Sequence, residues 1–210
     1  MRKLIEILFI VLILCPIYGH SQEESFWTKY IKADSEKLNL DNFNNDQYEK
    51  IYRIWKSYQV IELIEINDTT FSGQLVNFVT KTFRKTEKNQ IIKEVLKIPP
   101  LTVKTLMIDL KNSNIENLPD CEKVNGYVSG LDGTTYIFEI KLRDSKRVYS
   151  YWEPMSDYYQ NDSIKEVKNV RAIITNLKSK VNPDLHFKNF TDNLDYGSYN
   201  YGGINMIKLK

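Results

Sequence analysis

Few residues in this chain have the type and spacing to do chemistry, and most of them gather in one stretch. Asp132, Glu139 and Glu153 lie in or beside the run Gly130-Leu131-Asp132-Gly133-Thr134-Thr135-Tyr136-Ile137-Phe138-Glu139 and its continuation through Tyr149-Ser150-Tyr151-Trp152-Glu153-Pro154. Two carboxylates that meet at about 5–10 Å across a cleft can hydrolyse a glycosidic bond, one as acid and the other as base or nucleophile. Glu139 also has a plainer reading. It sits in mid-strand on the wetter face, opposite partners such as Arg147, where a cross-strand ion pair is the commoner arrangement. Asp132 precedes Gly133 and suits a turn, since glycine tolerates positive φ and aspartate bonds to its own backbone. The same stretch holds the densest aromatic group, Tyr149, Tyr151, Trp152, Tyr158 and Tyr159. Aromatic faces stack on sugars or anchor a protein partner, and they also fill sheets. Strand alternation sets Tyr149 and Tyr151 against Val148 and Trp152, so one pair is expected to face outward.

Other chemistries are poorly supplied. The chain has two histidines, His20 and His186. No G-x-S-x-G, H-E-x-x-H or Cys/His metal spacing occurs, which argues against the common nucleophilic and zinc arrangements. His186, between Leu185 and Phe187, reads as packing. No phosphate-binding glycine loop is found: residues 126–133 are spaced differently and precede a strand, where such a loop needs a following helix. No calcium-loop run occurs either. The expectation is a chain with no cofactor and no metal.

Length and composition set the frame. The chain has 210 residues, 42% hydrophobic and 27% charged, with a formal net charge of +2. That is the composition of an ordinary globular protein with room for one substantial core. No basic stripe emerges, so nucleic acid is not expected as a partner. The first residues read as a leader. Arg2 and Lys3 precede an apolar stretch over 4–17 broken only by Glu6, and Pro16, Gly19 and Ser21 follow as a small-residue cleavage pattern. Residues 1–21 therefore read as a signal peptide. The uninterrupted apolar core, 7–15, falls short of the ~20 residues a membrane span takes, so an uncleaved anchor is the weaker reading. Lipidation at Cys15 would call for a small residue before it, and Leu14 stands there. With the leader removed, no membrane-spanning segment is expected and the protein is periplasmic or secreted. Cys121 is then the one cysteine left, which excludes an internal disulfide. It is a reactive or chain-linking thiol, or, more plainly, a small buried apolar group.

The elements that must position these groups follow from periodicity. Residues 22–45 read as an N-terminal arm or a short helix, with Phe26, Trp27, Tyr30 and Ile31 as its apolar cluster. Asp46 with Glu49 offers a capping box, and Tyr48, Ile51, Tyr52, Trp55 and Tyr58 recur at helical spacing, predicting an amphipathic helix. Strands are predicted over 60–66, 71–83 and 91–98, the last two paired. Pro100 opens a helix to about Lys111, with Val103, Leu106, Met107 and Leu110 on one face. From Tyr136, apolar residues alternate through Phe138, Ile140 and Leu142; residues 143–147 connect, and 148–152 resume, predicting a β-hairpin. Ser163 with Glu166 predicts a capped helix along Val167, Val170, Ile173, Ile174, Leu177 and Val181, stopped before Pro183. Residues 196–203 read as a loop and 204–209 as a closing strand. The order predicts one α+β domain over 46–210, a mostly antiparallel sheet of about six strands packed by about three helices.

The chain resembles a group of small secreted proteins from Bacteroidota, over roughly residues 55–210. The resemblance rests on Phe71-Ser72-Gly73, residues 115–119, the Asp132-Gly133-Thr134-Thr135-Tyr136 and Tyr151-Trp152-Glu153-Pro154 elements, and Tyr201-Gly202-Gly203. It implies export and a shared fold and brings no catalytic residues with it. In such bacteria Asp68-Thr69-Thr70 and Asp162-Ser163-Ile164 also resemble O-glycosylation acceptors. The expected function is an exported, non-catalytic binding protein whose partner is an envelope protein or glycan. The alternative is a carboxylate-dependent hydrolase acting on an envelope glycan.

Overall fold

The computed structural model describes residues 26–40, 43, 47–83, 89–201 and 204–209. The leader over 1–21 and Asp46 lie outside the described residues. The chain builds a four-strand antiparallel meander first: β1 (Lys50–Lys56), β2 (Gln59–Asn67), β3 (Thr70–Thr82) and β4 (Gln90–Lys97). The turn between β2 and β3 is closed by Asn67, whose side-chain oxygen accepts from the backbone N–H of Thr69 at 3.0 Å and of Thr70 at 2.9 Å. Helix α2 (Pro100–Asn112) starts with its proline in the first turn, where a missing N–H costs nothing, and crosses back over the sheet. There the hairpin β5 (Thr135–Leu142) and β6 (Ser145–Trp152) adds to the free edge of β1.

The sheet order is β6-β5-β1-β2-β3, with β4 on the outer edge of β3. β3 is long enough to share its other edge between β2 and a second hairpin, β7 (Gly197–Tyr201) and β8 (Ile204–Lys208), which pairs at Thr80–Thr82. Among the described residues every pairing is antiparallel, and the eight strands form a curled half-barrel. Its concave face wraps α2 and α3 (Lys165–Val181): Tyr52, Ile54, Leu63, Leu75, Phe138 and Ile140 meet Val103, Leu106, Met107 and Leu110 of α2 and Val170, Ile173, Ile174 and Leu177 of α3. Gly73 permits this approach, because a Cβ there would stand 2.7 Å from the Val103 side chain. The opposite face is covered by α1 (Phe26–Leu38), whose Ile31 and Leu38 pack with Trp55, Val60, Val76, Phe78 and Ile137.

Three sequence expectations change. Residues 50–56 form a strand, not a helix, and the N–H of Glu49 donates to the carbonyl of Glu65 across the sheet instead of closing a capping box. Both faces of β1 are buried, so its apolar residues do not alternate with polar ones and their spacing mimics a helical stripe. Helix α3 begins at Lys165 without a side-chain cap, because the Ser163 N–H is taken by Asn161 in the turn before it. Pro183 does not merely end α3. Asn182, in the left-handed conformation at φ 48°, closes that helix and caps α4 (Pro183–Asp192), which the proline opens. The mixed α/β architecture and the antiparallel sheet agree with the expectation, but the described residues hold four helices and eight strands rather than three and six. The two extra strands are β1, expected as a helix, and β7, whose residues read as a loop because they are rich in Tyr, Gly and Asn.

Candidate functional site

At its base, the β5–β6 hairpin is closed in an unusual way. Trp152 is the last residue of β6, paired with Thr135, and Glu153 then turns the chain at a left-handed φ of 43°. The Glu153 N–H donates to the Thr134 carbonyl at 2.8 Å, and its carboxylate accepts the Thr134 N–H at 2.5 Å. The Trp152 indole N–H donates to the Asp132 carbonyl at 2.7 Å, so the glycine turn is folded onto the indole. Gly130 is required for that contact, since a Cβ there would lie 2.5 Å from a ring atom of Trp152.

Two loops, 126–134 and 152–164, are fastened to one another around this indole. Buried Gln160 donates to the carbonyls of Val128 at 2.9 Å and Trp152 at 3.0 Å, and accepts the Val128 N–H at 3.3 Å. The Tyr127 hydroxyl donates to the Trp152 carbonyl at 2.8 Å. From α3, Arg171 donates through Nε to the Pro154 carbonyl at 2.8 Å and through one Nη to both Asp157 and Asp162, at 2.7 and 2.5 Å. Its other Nη is buried without a hydrogen-bond partner among the described residues. On this frame stands a ladder of three rings. Trp152 and Tyr159 have centroids 4.6 Å apart, and Tyr159 and Tyr158 are 4.8 Å apart at 86°. Exposure rises along it from 8% at Trp152 through 41% at Tyr159 to 88% at Tyr158. Leu131 on the glycine turn and Met155 are exposed as well. Neither loop contains a lysine or arginine, while Asp132, Glu153, Asp157 and Asp162 are all within them.

The structure separates the other residues singled out in the sequence. Tyr149 and Tyr151 are not outward-facing. Both are buried under the 115–121 segment, their hydroxyls donating to the carbonyls of Ile115 and Pro119. Strand alternation does divide them from Trp152, but both faces of β6 are covered, so alternation alone could not reveal an exposed pair. Glu139 is buried on the α1 side of the sheet and pairs with Arg53 of β1 at 3.2 Å, rather than with Arg147. Arg147 points to the other face, where it donates to the carbonyls of Glu116 and Leu118. Along the β6 register Glu139 is level with Val148, five residues from Glu153, or about 16 Å at strand rise. Of the three carboxylates in the hydrolase reading, only Asp132 and Glu153 therefore share a loop pair.

Cys121 is buried, which pushes its thiol pKa up and keeps it protonated. His186 lies half-buried on α4. Among the described residues, no group of three or more His, Cys, Asp or Glu is placed to hold a metal ion, and no helix is long and apolar enough to cross a membrane. Compared with known proteins, the chain matches no family model and no curated sequence. Three residues of the site are absent from the sequence reading: Tyr127, Gln160 and Arg171. None belongs to a motif. The only signal they offered was a polar residue, Arg171, next to the apolar stripe of an amphipathic helix.

Proposed function

We propose that this chain is an exported, non-catalytic binding protein that holds an envelope protein or glycan on the Trp152–Tyr159–Tyr158 surface. Export rests on the leader-like pattern of residues 1–21. The observation that carries the binding reading is Tyr158, a large ring 88% exposed at the end of an ordered ladder. Its neighbours are locked by Gln160, Arg171 and the Trp152 indole, so a ligand would meet a surface already in place and little ordering entropy would oppose binding. Exposed aromatics on a rigid base are favoured anchors at interfaces, combining large contact area with few rotatable bonds.

The test is a pull-down from envelope extract of the source cell with the wild-type chain and a Tyr158→Ala/Tyr159→Ala variant. The expected result is a protein or glycan retained by the wild type and lost by the variant, with both chains melting at the same temperature. Equal retention by a folded variant would remove the surface from the function.

A further inference from the structure

The two loops that carry the ring ladder have a charge composition unlike the rest of the molecule. Over the whole chain, Lys and Arg number 29 against 27 Asp and Glu, which is close to balance. Within 126–134 and 152–164 there are four carboxylates and no base. The side chains of Asp157, which precedes Tyr158, and Asp162, three residues after Tyr159, are 89% and 69% exposed. They share one Nη of Arg171, so a single guanidinium faces two carboxylates, and most of their oxygen surface stays open to solvent. Asp132 is exposed on the glycine turn. The rings themselves present negative π faces, which attract cations.

Resting on the binding reading above, we infer that the occupant of this surface is a basic segment of a protein partner, whose lysine or arginine side chains lie over Tyr158 and Tyr159 and against the solvent-facing sides of the Asp157 and Asp162 carboxylates. The charge selects the class. A neutral sugar stacks on the rings but makes no use of a rim of net negative charge, and a phosphorylated or acidic glycan is repelled by it. The shape selects the size. Tyr158 and Tyr159 stand perpendicular on an open surface rather than closing a box around a single small cation, so contact has to be spread along an extended segment. Because the carboxylates are exposed, the attraction is screened by salt, over a Debye length that falls from about 10 Å at 0.1 M to about 3 Å at 1 M.

The experiment is isothermal titration of the purified chain with three probes: an end-blocked (Gly-Lys)6 peptide, an end-blocked (Gly-Glu)6 peptide, and chitohexaose as a neutral sugar. The expected result is saturable binding of the lysine peptide alone, weakened at least tenfold between 20 and 300 mM salt. Asp157→Asn/Asp162→Asn should abolish it. That variant frees Arg171 and could disturb the fold, so Tyr158→Ala serves beside it. It removes an exposed ring without touching the frame, and should weaken the peptide about three- to tenfold at an unchanged melting temperature. Binding of the lysine peptide that neither variant alters would overturn the inference, as would equal binding of the glutamate peptide. Chitohexaose binding that Tyr158→Ala removes, with no lysine-peptide binding, would also overturn it while leaving the binding surface intact. No binding of any probe would count against the inference, and loss of the extract partner in the Tyr158→Ala/Tyr159→Ala pull-down would still uphold the surface itself.

Discussion

The molecule uses the same ionic grouping twice, one arginine with two carboxylates, in opposite surroundings. On the sheet, Arg53 of β1 lies between Glu62 of β2 and Glu139 of β5, each its direct cross-strand neighbour. Arg53 is 1% exposed. Gln74 donates to the second oxygen of Glu62 at 2.9 Å, the Trp55 indole donates to Glu139 at 3.4 Å, and the Phe43 ring lies 5.1 Å from the guanidinium. On the surface, Arg171 holds Asp157 and Asp162, whose outer oxygens face water. The difference lies in what each grouping has left to give. The buried row is turned inward and covered, and its exact pairing sets the register of β2, β1 and β5. A one-residue slip would carry Arg53 to the apolar concave face and strand both glutamates. The surface grouping spends its arginine on fastening a loop and leaves two carboxylates for a partner. Ionic clusters in one protein are therefore separated into scaffold and site by solvent access rather than by residue type.

The sharpest way to break this comparison is to make the same substitution in both places. Arg53→Met leaves two buried carboxylates without their cation and should cost about 3–5 kcal/mol in urea unfolding, enough to leave the chain marginal. Gly130→Ala comes next. The added methyl must push the Trp152 ring off the glycine turn, costing about 1–3 kcal/mol and shifting the tryptophan emission, with loss of partner retention in the pull-down. Arg171→Met should cost about 1–2 kcal/mol, since the carboxylates it releases simply turn to water. An Arg171→Met penalty equal to that of Arg53→Met would erase the distinction between scaffold and site.

The smallest effect is a pH dependence. Burial pushes the pKa of Glu139 up, outweighing the opposing pull of Arg53 and the Trp55 hydrogen bond. The folded chain therefore keeps that proton to higher pH than the unfolded one. The resulting stabilisation is complete below the ordinary carboxylate range, about pH 4, and fades as pH rises through the raised value. Glu139→Gln should flatten the stability profile in that window, measured by urea midpoints at successive pH values. A profile that Glu139→Gln leaves unaltered would show that burial of this carboxylate does not set the pH dependence.

How much of this was legible in advance depended on whether a signal is local. The β5–β6 hairpin, α2 and α3 could be read from residues close in sequence: an alternating run, a proline at a first turn, an apolar stripe of period 3.6. The ring cluster and the three carboxylates around the hairpin were likewise visible as composition. What sequence could not assign was the side of the wall on which each stood. Tyr149 and Tyr158 are equally aromatic, yet one is sealed beneath residues 115–121, which lie some 30 positions earlier, and the other stands in water. β1 was misread for the same reason, because α1 covers the face that would otherwise have been polar and would have given away its period of two. Arg53, Gln160 and Arg171 matter only through partners brought to them by the fold. The sequence by itself determined the local elements and the stock of aromatic and acidic groups, since backbone propensity and periodicity are properties of neighbours along the chain. Only the tertiary structure decided which groups were buried as scaffold and which were left open as a site, since solvent access is a property of neighbours in space.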